Sequence, residues 1–156
     1  MSLPLFRWVG IGIVAAGLAQ MPLFAMQEPP QPGAQQTDDP HFAEEQAAER
    51  QALGFLGYLD QGRYADSYAY TGMLIRAQLD RDKFSAQVGK ARTGTGALQS
   101  RELMDASYAT TVPGAPEGEY VVLHYHSNFA IRQDTVETLT LAFAKGYWRV
   151  DGYYIK

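Results

Sequence analysis

The feature that most constrains the fold is a change of hydrophobic period at residues 93–96, Thr-Gly-Thr-Gly. Before this segment, apolar residues recur every three or four positions, a pattern that is typical of amphipathic helices. After it, apolar and polar residues alternate, which is typical of half-buried strands. A chain with its helices first and its strands afterwards is predicted to adopt an α+β fold.

Three N-terminal helical segments are predicted. The apolar positions of the first follow helical spacing and are Ala48, Ala52, Phe55, Leu56 and Leu59. Gly62 stands where a left-handed residue would end this helix. A second, short helix is expected from Arg63 to Gly72. After an apolar stretch over 73–79, Asp80 is predicted as the N-cap of the third helix, in which Phe84, Val88 and Ala91 stack on one face.

Four strands are predicted over 97–109, 118–130, 135–144 and 147–155. Turn residues separate them at 113–116, 132–134 and 145–146. Three short connections between consecutive strands indicate an antiparallel meander. We therefore expect the N-terminal helices to pack on one face of a four-stranded sheet.

The N-terminus predicts export. A short, positively charged start over 1–7 precedes an uncharged run over 8–19, and Ala25 offers a small residue for cleavage. This run is shorter than the roughly 20 residues that a spanning helix needs. We expect a signal peptide over 1–25, a disordered linker rich in Pro and Gln over 26–40, and one domain over 41–156. The mature protein would be periplasmic or secreted, touching the membrane only through its signal peptide; an uncleaved anchor is the alternative.

Composition excludes several classes of site. The chain has no cysteine, so disulfides, thiolate metal sites, a cysteine nucleophile and a lipoprotein anchor are excluded. Its 13 Lys and Arg residues do not cluster, so no nucleic-acid surface is expected. No cofactor is predicted.

Three stretches resemble one family of small exported bacterial proteins. They are LDQGRYADSYAYTG (59–72), SRELMDASYATTVPGAPEGEYVVLHYHSNFA (100–130) and VETLTLAFAKGYWRVDGYYIK (136–156). The family is catalogued as domain of unknown function 4019. The resemblance implies a cone-like fold of the cystatin-like or nuclear-transport-factor-2-like type, with helices cupped by a curved sheet. It implies no activity.

Two histidines form the strongest pattern for a metal site. His124 and His126 flank Tyr125 in a predicted strand, so both rings leave the same face. Glu137 is a third candidate ligand from the next strand, while His41 lies far away at the linker boundary. A site needs at least three ligands, and two surface histidines are the simpler interpretation. No metal site is predicted.

A cone-shaped interior suggests an enzyme by fold analogy alone. The groups predicted to line it are Tyr64, Tyr68, Asp105 and Trp148. A buried carboxylate such as Asp105 or Asp66 would be a fair general base, although Asp66 is also well placed in the first turn of a helix. A small hydrolase or isomerase acting on an apolar substrate is therefore the alternative function. An interior plugged by Leu139, Leu141, Phe143 and Trp148 would favour a binding protein instead.

Strand alternation predicts an outer sheet face rich in aromatic residues. Its predicted members are Tyr120, Val122, His124, His126, Tyr147, Arg149 and Tyr153. Gly152 could host a bulge that reverses the final residues. Aromatic residues and Arg favour interface centres. The leading hypothesis is a non-catalytic binding or accessory module that forms a homodimer or binds an envelope protein through this face; a structural envelope protein is the second alternative.

Overall fold

The computed structural model describes residues 39–156, so the predicted signal peptide and most of the linker lie outside the described residues. The helices are α1 (Phe42–Asp60), α2 (Tyr64–Ser67), α3 (Met73–Gln78) and α4 (Arg81–Ala91), with a 3-10 turn at Tyr68–Tyr70. The strands are β1 (Leu98–Ala109), β2 (Tyr120–Phe129), β3 (Thr135–Ala144) and β4 (Tyr147–Ile155). In this part of the chain, none of the helices is both long and apolar enough to cross a membrane.

The sheet has the order β1-β2-β3-β4, and each strand is antiparallel to its neighbours. The predicted α+β fold and its meander are thus confirmed, with strand limits within two residues of those expected. The tightest connection explains why β3 and β4 pair directly. Lys145 and Gly146 have φ values of 55° and 85°, and two left-handed residues give the turn a twist that matches the flanking strands.

The core lies between α1 and the inner face of the sheet. The stripe predicted on α1, from Ala48 to Leu59, is at most 1% exposed. It packs against Leu123 of β2 and Leu139 and Leu141 of β3, all fully buried. Burial of each Leu or Phe side chain stabilises the fold by about 1.5–3 kcal/mol. Packing against α1 therefore determines which face of the sheet is the inner one.

Asp80 caps α4 as predicted, since its carboxylate accepts a hydrogen bond of 2.8 Å from the backbone N–H of Lys83. Phe84 and Val88 are buried. Ala91, however, is exposed, because the last turn of α4 faces a cleft rather than the core.

The apolar stretch over 73–79 forms a helix that lies across the edge of the sheet. The backbone N–H of Gly72 donates to the carbonyl of Val150 at 2.8 Å, which attaches the start of α3 to β4. Ile75 and Leu79 then pack against the core, whereas Leu74 and Gln78 line a groove with outer-face residues. The helices thus cover the inner face, and α3 also reaches the outer one.

A bulge in β4 reverses the direction of Tyr153. Leu141 pairs with Val150 and Thr140 pairs with Gly152, so Asp151 is an extra residue in β4. An extra residue shifts the alternation of the residues that follow it. Tyr153 therefore lies opposite Leu139 and faces inward, which corrects its predicted place on the outer face. Gly152, suggested as the bulge position, is adjacent to the residue that bulges.

Candidate functional site

The most unusual feature of the interior is a carboxylate with no exposure to solvent. Glu137 projects from β3 into the core, and its side chain is 0% exposed. Its Oε1 accepts a hydrogen bond of 2.7 Å from Arg92, and its Oε2 accepts one of 2.8 Å from Arg101. Such a charge is stable inside a protein only when it is paired and hydrogen-bonded.

The same two arginines also hold Asp60, the last residue of α1. Arg92 donates to Asp60 at 2.5 Å, and Arg101 donates to both of its oxygens at 2.7 and 3.0 Å. The Asp60 side chain is 18% exposed, so this end of the cluster reaches the surface. Two carboxylates and two guanidinium groups therefore form a charge-balanced cluster, which we call the ion network.

Two hydroxyl groups complete the ion network. Ser127 donates to Glu137 at 2.6 Å, and Tyr153 donates to Glu137 at 2.7 Å. Tyr153 also accepts a hydrogen bond of 3.2 Å from Arg92. Burial raises the pKa of Tyr153, and the charge of Glu137 adds to this effect, so the hydroxyl stays protonated.

The guanidinium groups stay charged. Burial alone would lower the pKa of Arg101, but its hydrogen bonds to Asp60 and its attraction to Glu137 raise the pKa above its ordinary value. The Arg92 guanidinium also lies 4.5 Å from the centre of the Phe129 ring, a favourable cation–π contact. Each charged member thus has at least two partners, and the arrangement suits a rigid structural role better than proton transfer.

Sequence analysis did not identify the ion network, although β3 contains a clue. Glu137 is two residues from Leu139 and four from Leu141, so its side chain leaves the same face of the strand. This places a carboxylate at an inward position. Charged residues at core positions are almost always paired. The partners could not be named from the sequence because Asp60, Arg92 and Arg101 come from three other segments.

The structure does not bring the predicted cone-pocket residues together. Tyr64 packs at the core margin, and the Tyr68 hydroxyl donates to the carbonyl of Leu79 at 2.9 Å. Trp148 is 6% exposed and belongs to the core. Asp105 is wrong as an interior acid: a bulge at Met104 in β1 places it opposite His124 on the outer face, with its side chain 58% exposed.

Three of the four side chains that would plug the interior lie inside it. Leu139, Leu141 and Trp148 are buried, but Phe143 is 41% exposed. Phe143 lies near the end of β3, close to the turn, and its ring is tilted against that of Trp148, with 5.2 Å between the ring centres. The interior is thus filled by apolar side chains around the ion network. The Tyr125 hydroxyl is buried there without a hydrogen-bond partner among residues 39–156, and burial raises its pKa.

The two paired histidines lie on the outer face but have separate partners. His124 is 3.6 Å from Asp105, and His126 is 3.2 Å from Asp134. Glu137 lies opposite Tyr125 on the inner face, so the suggestion that it joins the histidines is wrong. No cluster of three or more potential metal-ligating side chains occurs within the described part of the chain.

Most of the other predicted outer-face residues have the expected orientation. Val122 and Arg149 are half-buried, and Tyr147 is 63% exposed. The guanidinium of Arg149 lies 5.4 Å from the centre of the Tyr147 ring. Tyr120 is only 4% exposed because the loop before β2 covers it, and its hydroxyl donates to the carbonyl of Pro116. Tyr120 is therefore wrong as an exposed contact residue.

Three concave surfaces surround α3. A cleft of about 230 Å³ lies between α3, α4 and the edge of β4, and we call it the edge cleft. On the outer face, a groove of about 370 Å³ runs between α3 and the loop over 112–115. A smaller hollow of about 140 Å³ continues it towards Phe143.

Asp151, the bulged residue of β4, borders all three concave surfaces. Its carboxylate accepts a hydrogen bond of 2.9 Å from the backbone N–H of Leu74 and so anchors α3. Burial raises the pKa of Asp151, and the hydrogen bonds from α3 oppose this effect. The bulge therefore positions α3, and with it the walls of the concave surfaces.

Comparison with known protein families shows which family the chain belongs to. Residues 51–153, about two thirds of its length, match the family described as "Protein of unknown function (DUF4019)". The chain belongs to this family. The match includes Asp60, Arg92, Arg101, Glu137 and Tyr153, so the ion network lies within the DUF4019 region. A search of curated proteins found no match. The relationship to cystatin-like or nuclear-transport-factor-2-like proteins stays a prediction.

Replacing Tyr153 by Phe tests the ion network without removing a charge. Tyr153→Phe deletes a hydrogen bond to a buried carboxylate, so the free energy of unfolding should fall by about 1.5–3 kcal/mol. Tyr154→Phe is the matched control, because Tyr154 is 62% exposed, and its effect should stay within about 0.5 kcal/mol. Denaturant unfolding measures both; equal effects would refute the role given to the Tyr153 hydroxyl.

Proposed function

We propose that this DUF4019 protein is an exported, non-catalytic binding module. The proposal rests on one observation: the interior of the domain is filled by side chains that bind one another. The side chains that a buried active site would use are held by one another: Asp60 and Glu137 each accept hydrogen bonds from Arg92 and Arg101. A hydrolase or isomerase needs an interior acid or base that is available to its substrate. Among residues 39–156, no specific contact favours that alternative.

We therefore propose that a partner protein binds to the surface of the domain. On the outer face, Tyr147 and Arg149 form a cation–π pair near the start of β4. The half-buried Val122, His124 and His126 lie on the same face two strands away, progressively further along the sheet. Tyr and Arg are enriched at the centres of protein interfaces, where Lys and Glu are depleted. The groove between α3 and the loop over 112–115 gives this face a shape that a partner can fit. Together, these features support binding of an envelope protein.

The binding role is tested by replacing an aromatic residue and an arginine of the outer face by glutamate. Tyr147→Glu combined with Arg149→Glu should strongly reduce recovery of a discrete partner when the tagged protein is captured from crosslinked envelopes. The matched control is Arg50→Glu with Leu53→Glu, which changes an exposed Arg and an exposed apolar residue on α1, and should leave recovery unchanged. Equal recovery with both variants would contradict a role for the outer face.

Export is a separate part of the proposal and rests on the N-terminal sequence. An uncharged run of about a dozen residues behind a positive start suits a signal peptide. The intact mass of the protein recovered from the envelope fraction should therefore correspond to a chain beginning at Met26. Recovery of the full-length chain in the membrane pellet would contradict cleavage and favour a retained anchor.

A further inference from the structure

The end of β4 presents backbone groups to the free edge of the sheet. Val136 and Lys156 exchange two hydrogen bonds of 3.0 Å between β3 and the end of β4. In an antiparallel pair, such exchanging residues alternate with residues whose backbone groups point away. The N–H and C=O groups of Tyr153 and Ile155 therefore point away from β3. Among residues 39–156 they have no hydrogen-bond partner.

The edge cleft lies directly beside this backbone. Its floor is formed by β4, and its walls come from α3, the residue after it and α4. They combine the apolar side chains Ile75, Leu79, Phe84, Val88 and Ala91 with the polar side chains Gln78 and Gln87. A volume of about 230 Å³ is below the roughly 300–1,000 Å³ of small-molecule pockets. It suits one or two apolar side chains that project from a backbone along the edge.

Neighbouring backbone already pairs with this edge. Thr71 forms a parallel bridge with Val150, and Gly72 donates to the Val150 carbonyl. Where this segment turns into α3, the pairing stops at Val150, three residues before Tyr153. An added strand beside Tyr153 and Ile155 would continue the same line of pairing.

The opposite edge of the sheet, β1, is protected by contrast. The Glu45 side chain accepts a hydrogen bond of 3.0 Å from the backbone N–H of Tyr108, which occupies an edge donor. β1 also has a bulge at Met104 and carries Glu102 and Asp105. Bulges and charges are devices that prevent unwanted strand addition. β4 has its own bulge at Asp151, but the segment Tyr153–Ile155 that follows it contains neither a charge nor a bulge.

We propose that the edge of β4 at Tyr153 and Ile155 binds an extended peptide segment of a partner protein, with a large aliphatic or aromatic side chain in the edge cleft. The inference rests on the proposed binding function and names the class of ligand. Backbone hydrogen bonds would give affinity, and the cleft would select alternate side chains, as in strand addition elsewhere. A single extended strand fits between the walls that α3 and α4 form, and its backbone meets the unpaired groups of Tyr153 and Ile155.

The probe is the acetylated and amidated heptapeptide Lys-Val-Thr-Leu-Thr-Val-Lys, titrated into the ¹⁵N-labelled protein. We expect saturable NMR shifts at Tyr153 and Ile155 and slower hydrogen exchange of both amides. Replacing the central Leu by Ala should weaken binding about tenfold, since it removes buried apolar atoms. N-methylation of the three central residues should abolish binding because it removes the hydrogen-bond donors.

Two variants of α4 provide the matched comparison. Ala91→Phe fills the edge cleft from an exposed position and should raise the Kd of the probe about tenfold or more. Ala86→Phe places the same ring on α4 outside the cleft and should leave the Kd unchanged. Absence of saturable binding, or binding that neither Ala91→Phe nor N-methylation weakens, would overturn the inference.

Self-association is a further outcome that would overturn it. If the Tyr153 and Ile155 amides are protected in the peptide-free protein and sedimentation shows a dimer, the occupant of the edge is a second copy. Failure of the probe is distinguishable from failure of the proposed function. If the probe does not bind but the Tyr147→Glu and Arg149→Glu changes still abolish partner capture, only the edge inference fails.

Discussion

The burial of the Glu137 carboxylate is the constraint on which the rest of the structure depends. A charge at this depth requires Arg92 from the end of α4 and Arg101 from β1, and these arginines in turn require Asp60 at the end of α1. Four separate segments therefore meet at one neutral cluster. Removing one partner from such a cluster typically costs about 3–5 kcal/mol, because it leaves a buried charge uncompensated. The ion network thus determines how α1 and α4 pack against the sheet.

The bulge at Asp151 connects the ion network to the surface. It turns Tyr153 inward, where the hydroxyl joins Glu137, and it directs the Asp151 carboxylate to the first turn of α3. One extra residue therefore completes the interior and fixes the helix that borders the concave surfaces. Because the interior groups bind one another, we propose the outer face and the edge of β4 as the surfaces that recognise other molecules.

Elements with a local cause could be predicted from the sequence. The break at residues 93–96, the N-cap at Asp80 and the four strands follow from periodicity and turn chemistry. Features that depend on the register of the strands could not be predicted from the sequence. Asp105 and Tyr153 were assigned to the wrong faces because a bulge precedes each of them. The charged members of the ion network lie up to 77 positions apart, from Asp60 to Glu137, and no local pattern reports such contacts.

A double-mutant cycle on Arg101 and Glu137 tests the central claim most directly. The free energy of unfolding is measured for Arg101→Met, Glu137→Leu and the double variant. Each single change should cost about 3–5 kcal/mol, whereas the double variant, which retains the Arg92–Asp60 pair, should recover most of that loss. Single changes that cost less than about 1 kcal/mol, or losses that simply add in the double variant, would contradict the account.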